Sequence, residues 1–163
     1  MNIVTATFKD RAASQTALDS LERVGIRGDQ ISLVMTDDTR RNHFKLDEES
    51  KADEGAISGA ALGGIAGVLL SMLTTAGVMM IPGLNLVVAG PIVAALAGLG
   101  GGAVTGGIIG GLVGAGIPEH EAKIYEGEIR NGGVLIAVEA LDDVQKDKIK
   151  TALKASDAYN IAA

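Results

Sequence analysis

The stretch LAGLGGGAVTGGIIGGLVGAG, Leu96–Gly116, carries ten glycines in twenty-one positions and neither a charged nor an aromatic side chain. Glycine costs about 1 kcal/mol against alanine in a helix interior, so a segment this rich in it must gain something from having no side chain. The spacing supplies a reason. Gly98, Gly102, Gly106, Gly110 and Gly114 recur at every fourth residue, preceded in the same register by Gly90 and Ala94. An earlier run, Gly55, Gly59, Gly63 and Gly67, keeps the same period and continues in Ser71 and Thr75. A four-residue repeat of small residues lets helix backbones approach closely, above all inside membranes. These two runs are therefore expected to be helix-packing and oligomerisation faces, a glycine zipper.

The stretch belongs to a longer block. Between Glu54 and Glu119 lie sixty-four residues without a charge or a histidine, holding eighteen of the twenty-three glycines. Pro82-Gly83 and Gly90-Pro91 punctuate its middle and leave Ala56–Met80 and Ile92–Gly116, twenty-five residues each, on either side. As helices these would be about 37 Å long, enough to cross a bilayer core of about 30 Å. The pattern predicts a helical hairpin over 55–117 with the uncharged LNLVVA in its loop. If it spans a membrane, both flanks share one side. Arg40, Arg41, Lys45, Lys51 and Lys123 make that side cytoplasmic by the positive-inside rule. The alternative is an assembly that buries the hairpins in its interior. A monomer exposing so large an apolar patch to water would aggregate.

Working outward, the flanks read as two halves of one α+β domain. In residues 1–36, NIVTATF (Asn2–Phe8) is strand-like. Asp10 caps a helix with Ala13, Ala17, Leu21 and Val24 on one face, Gly25 ends it, and ISLVMT (Ile31–Thr36) is a second strand. Residues 37–54 read as a polar, mobile linker. In residues 118–163, Pro118 with Glu119 and Glu121 starts a helix that stops at Asn131-Gly132-Gly133. VLIAVEA (Val134–Ala140) is a buried-strand run. Asp142 and Asp143 open a last helix with Val144, Ile149 and Leu153 on one side, and the apolar AYNIAA follows. With the Pro118 helix set aside, the order is βαβ, insertion, βαβ, which predicts a ferredoxin-like sheet split by the glycine-rich hairpin.

Composition narrows the function. A formal net charge of −6 argues against nucleic acid as a partner. The absence of cysteine excludes disulfides, thiolate chemistry and cysteine-based zinc sites. The first residues, MNIVTATFKDR, lack the basic and apolar regions of a signal peptide, and a cytoplasmic start is expected. GLGGGA (Gly98–Ala103) matches the dinucleotide fingerprint on paper, but it is one stretch of the four-residue register, and the acids that follow stand at a helix start rather than at a strand end. His43 lies in the polar linker. His120 stands between Glu119 and Glu121, where neighbours on a helix point apart, so a solvated helix start is the expectation there. No catalytic, cofactor-binding or metal site emerges, and no enzyme is expected.

Three segments also carry a resemblance. TATFKDRAASQTALDSLERVGIRGDQISLV, IPGLNLVVAGPIVAALAG and VGAGIPEHEAKIYEGEIRNGGVLIAVEA are similar to bacterial general stress proteins of the heat-induced and low-temperature-induced group. The likeness covers nearly the whole chain except the linker. It implies a stress-associated protein and supplies no catalytic residue. The combined expectation is a membrane-associated homo-oligomer that scaffolds or protects membranes, with the chain itself and the lipid bilayer as partners. Its alternative is a soluble homo-oligomeric scaffold or shell. Two further readings are a pore lined by Ser71, Thr74, Thr75 and Thr105, and a regulator whose α+β head binds a small molecule.

Overall fold

Residues 2–43, 78–81, 85–90, 102–114 and 116–162 are described here from a computed structural model. The chain is a mixed α+β protein. Its elements are β1 (Ile3–Phe8), α1 (Arg11–Arg23), a 3-10 turn (Gly28–Gln30), β2 (Ile31–Thr36), α2 (Asp37–His43), β3 (Val78–Ile81) and β4 (Leu86–Ala89). They continue with α3 (Gly102–Gly114), α4 (Glu119–Arg130), β5 (Val134–Glu139), α5 (Asp143–Lys154) and β6 (Ile161–Ala162). The strands form one sheet in the order β3-β4-β2-β5-β1-β6, every neighbour antiparallel. Strand β5 thus slots between β1 and β2, with Val4 opposite Val138 and Leu33 opposite Ile136.

Local chemistry accounts for the helix ends. Asp10 accepts a hydrogen bond from the Ala13 amide at 2.9 Å, and Asp142 accepts one from Gln145 at 2.6 Å, each satisfying an otherwise orphaned donor of the first turn. At the far end of α1 the Ile26 amide bonds back to the Leu21 carbonyl and Gly25 takes φ +85°. The same left-handed closure ends α4, where the Gly133 amide reaches the Glu128 carbonyl and the Gly132 amide reaches Ile129.

Helices cover both faces of the sheet. On one face Val4, Ala6, Phe8, Leu33, Ile136 and Val138 pack with Leu18 and Leu21 of α1 and Ile149 and Leu153 of α5. On the other, Val34, Val88, Leu135 and Ala137 pack with Ile108 and Leu112 of α3 and Ala122, Tyr125 and Ile129 of α4. This explains why β5 is apolar at successive positions instead of alternating: a strand buried on both faces needs no polar side. Two threonines on β1 are satisfied across the second face. Thr5 Oγ1 lies 2.8 Å from the buried Tyr125 hydroxyl, and Thr7 donates to Glu128. Burial pushes the Tyr125 phenol up to about 12, the Thr5 contact acting the other way, so it stays neutral at any physiological pH.

Several expectations for the insertion are corrected. Val78–Met80, expected as the end of a membrane helix, belong to strand β3, and most of the expected loop LNLVVA is strand β4. The two pair antiparallel, Met80 opposite Val87, and extend the sheet beyond β2. The β-branched Val78, Ile81, Val87 and Val88 favour that outcome. Asn85 turns into β4 at φ +53°, a conformation asparagine tolerates better than most residues. Among the described residues no helix is long and apolar enough to cross a membrane, which overturns the transmembrane reading. Ser71, Thr74 and Thr75 of the pore reading lie outside the described residues.

The expected glycine-zipper positions fall only in part on described residues. Gly55, Gly59, Gly63, Gly67 and Gly98 lie outside the described residues. Gly102, Gly106, Gly110 and Gly114 fall on α3, but Gly107 breaks that helix with φ +65° and ψ −154°. Gly106 and Gly110 therefore do not share one continuous helical face. Ile108, Gly111 and Leu112 of α3 are buried, while Gly114 is exposed. Two smaller differences complete the comparison. The first seven residues of the expected linker form α2. Val144 is exposed rather than packed with Ile149 and Leu153, because five residues of helix turn it about 140° away from Ile149.

Candidate functional site

Four distant parts of the chain converge on a cleft of about 440 Å³ at one end of the sheet. Thr36, Asp38, Thr39 and Asn42 enter it from the end of β2 and from α2. Asn85 comes from the β3–β4 turn and Ile108 from α3, while Arg130, Asn131 and Gly132 come from the closure of α4. The volume sits within the range typical of small-molecule sites, about 300–1,000 Å³. Seven of its nine described lining residues carry polar side chains.

The α2 wall is held by its own hydrogen bonds. Thr36 Oγ1 accepts from the Thr39 amide at 3.1 Å and lies 2.8 Å from Thr39 Oγ1, so Thr36 caps the short helix. Behind this wall Asp37 is 4% exposed. Arg40 donates to its Oδ1 through Nε at 3.0 Å and Nη2 at 2.7 Å, and Arg41 lies 2.6 Å from Oδ2. Burial pushes the Asp37 carboxyl up, but the Arg40 hydrogen bonds and the two guanidinium charges outweigh it and hold the group below the ordinary carboxylate range.

A consequence for stability follows from the sign of that shift. A carboxyl whose folded pKa is depressed contributes stability that is fully present above its unfolded value, about 3.9. The contribution is lost as pH falls from there through the lower folded value. Denaturant titrations between pH 2 and 7 should show Asp37→Asn destabilised by about 2 kcal/mol at pH 7. The gap to the wild type should narrow below pH 4. A gap that stays constant down to pH 2 would show that Asp37 does not act through its charge.

The β3–β4 turn is fastened to α2 by two bonds. The Asp37 amide donates to the Asn85 carbonyl at 2.9 Å, and Asn85 Nδ2 donates to Asp38 Oδ2 at 2.8 Å. On the opposite wall Arg130 gives Nε and Nη2 to Glu126 Oε1 at 3.1 and 2.8 Å. Gly132 passes close to Thr39, whose Oγ1 would lie 3.8 Å from a Cβ placed on the glycine. Among the described residues the cleft lining contains one carboxylate and no histidine or cysteine, so those residues offer hydrogen-bond donors and acceptors but no nucleophile–base pair. Elsewhere, His120 Nε2 lies 3.7 Å from Glu121 Oε1 with its ring 77% exposed. Among the described residues no group of three potential ligands is placed to hold a metal ion.

None of the cleft residues was singled out from the sequence as a site. By sequence pattern residues 37–42 belong to the polar linker and Asn131-Gly132 is a helix stop. One signal was available: a threonine followed by two aspartates is a helix-start pattern. Comparison of the chain with family models, with curated proteins and with solved structures found no match. The resemblance to general stress proteins therefore rests on the quoted segments alone.

Proposed function

We propose that the protein is a non-enzymatic, self-associating module of the cytoplasm, in which a ferredoxin-like unit is split by an insertion whose uncharged surface joins subunits. The order β2-β5-β1-β6 supports the ferredoxin-like part of this reading. In it α1 connects the parallel pair β1 and β2, and α5 connects β5 and β6. The similarity of the flanks to general stress proteins supplies its setting, a scaffolding role under stress.

The observation that carries self-association is strand β3. Among the described residues it forms one outer edge of the sheet, four apolar residues long, with Met80 49% exposed. Edge strands that stay solitary are usually blunted by lysine, proline or a bulge. VMMI contains no charge and no proline. A second copy is the fitting occupant. Two-fold symmetry sets β3 antiparallel to its own image, donors facing acceptors, and a charge-free strand avoids the repulsion between chains of net charge −6.

Light scattering after size exclusion, together with crosslinking, tests this directly. The wild type should exceed the monomer mass at micromolar concentration. Met80→Lys should weaken association at least tenfold, about 1.4 kcal/mol, without changing the circular dichroism spectrum. A monomeric wild type would end the proposal, and an unchanged mass in Met80→Lys would remove β3 as the contact.

A further inference from the structure

We infer that the cleft between α2, the β3–β4 turn and the end of α4 is a binding site for a small uncharged polyol, a linear or cyclic molecule with neighbouring hydroxyls. The argument starts from which polar groups are already used. Asp38 is engaged through Oδ2 with Asn85, and Arg130 through two nitrogens with Glu126. The two charges are of opposite sign, so the lining is neutral overall, and each is already partnered. Neither a free anion nor a cation therefore meets an excess of opposite charge among the described lining residues.

The side-chain amides of Asn42 and Asn131, in contrast, make no hydrogen bond among the described residues, and both line the cleft. Each presents one acceptor and two donor hydrogens side by side. The ligand that matches such groups must itself donate and accept from adjacent atoms, as neighbouring hydroxyls do. The remaining Asp38 oxygen adds an acceptor. Thr36 and Thr39 are occupied with each other and hold the wall in place. Ile108 supplies an apolar floor for the carbon backbone. The site draws on both halves of the α+β unit and on the insertion, so occupancy would fasten the three together.

The test uses the full-length protein and sorbitol as the probe, read by the side-chain amide resonances of Asn42, Asn85 and Asn131. Saturable shifts at millimolar sorbitol are expected. In Asn42→Ala/Asn131→Ala, whose substituted side chains are exposed, the apparent affinity should fall at least tenfold while the backbone spectrum stays otherwise unchanged. A second probe keeps the test independent of the variant: 1,6-hexanediol, with its two hydroxyls far apart, should give no saturable shift in the wild type. Shifts linear in sorbitol and spread over all surface amides would overturn the proposal, since they report bulk solvation. Tighter binding of glycine, a zwitterion, would overturn the assignment of ligand class.

Discussion

Gly90→Ala is expected to destabilise the protein by about 3 kcal/mol or more, the largest effect of a methyl group added at any glycine whose surroundings are described. Gly90 follows β4 and takes φ +97°, where an L side chain is strained. Space is the greater obstacle. A Cβ there would sit 2.2 Å from the Ile31 carbonyl oxygen and 2.7 Å from Ser32 Cα. Both are backbone atoms at the start of a strand paired on each side, so neither can move without opening β2. Gly25→Ala separates the two causes. Its φ is +85° but nothing lies within 4 Å of the added methyl, so it should cost only about 1 kcal/mol. Urea denaturation of both variants measures the difference. Equal losses would mean that backbone conformation alone sets the cost at Gly90.

Gly133→Ala is expected to cost about 2–3 kcal/mol, and its neighbour Gly132→Ala about 1 kcal/mol. Backbone conformation alone gives the opposite order, because Gly132 has φ +93° and Gly133 is not in the left-handed region. The surroundings reverse it. A Cβ on Gly133 would meet the Glu128 carbonyl oxygen at 2.8 Å and the Phe8 carbonyl oxygen at 3.1 Å, wedged between α4 and the end of β1. On Gly132 the nearest atom would be Thr39 Oγ1 at 3.8 Å. Thermal melts of the two variants decide the matter. A lower midpoint for Gly132→Ala would contradict the close approach of β1 to this turn.

What the sequence disclosed was mainly local. Asp10, Gly25, Pro118 and Asp142 act within a few residues of themselves, and the structure places all four at the helix boundaries they predict. Val134–Glu139 was also readable, because a run of large apolar residues between turn signals has few other homes. The insertion misled for a physical reason. An uncharged apolar segment has no polar face from which to read a period, so helix and strand look alike. The β-branched residues of LVVA and the adjacent Asn85 were the better guide there. The cleft was illegible for a different reason: no two of its three walls are near in sequence, and α2 owes its place to an asparagine forty-seven residues away.

The slot that β5 fills has a consequence for how the chain is made. When β2 has left the ribosome, β1 and β2 are complete but cannot pair with each other, because the strand that belongs between them is encoded roughly a hundred residues later. At about 5–20 residues per second, translation leaves the two exposed strands waiting for at least several seconds. Contacts this distant in sequence also slow folding once the chain is released. During that interval the nascent first half presents apolar strand edges to every neighbouring polysome, and a chaperone that shields Ile3–Thr36 until Val134 emerges would set the yield of folded protein.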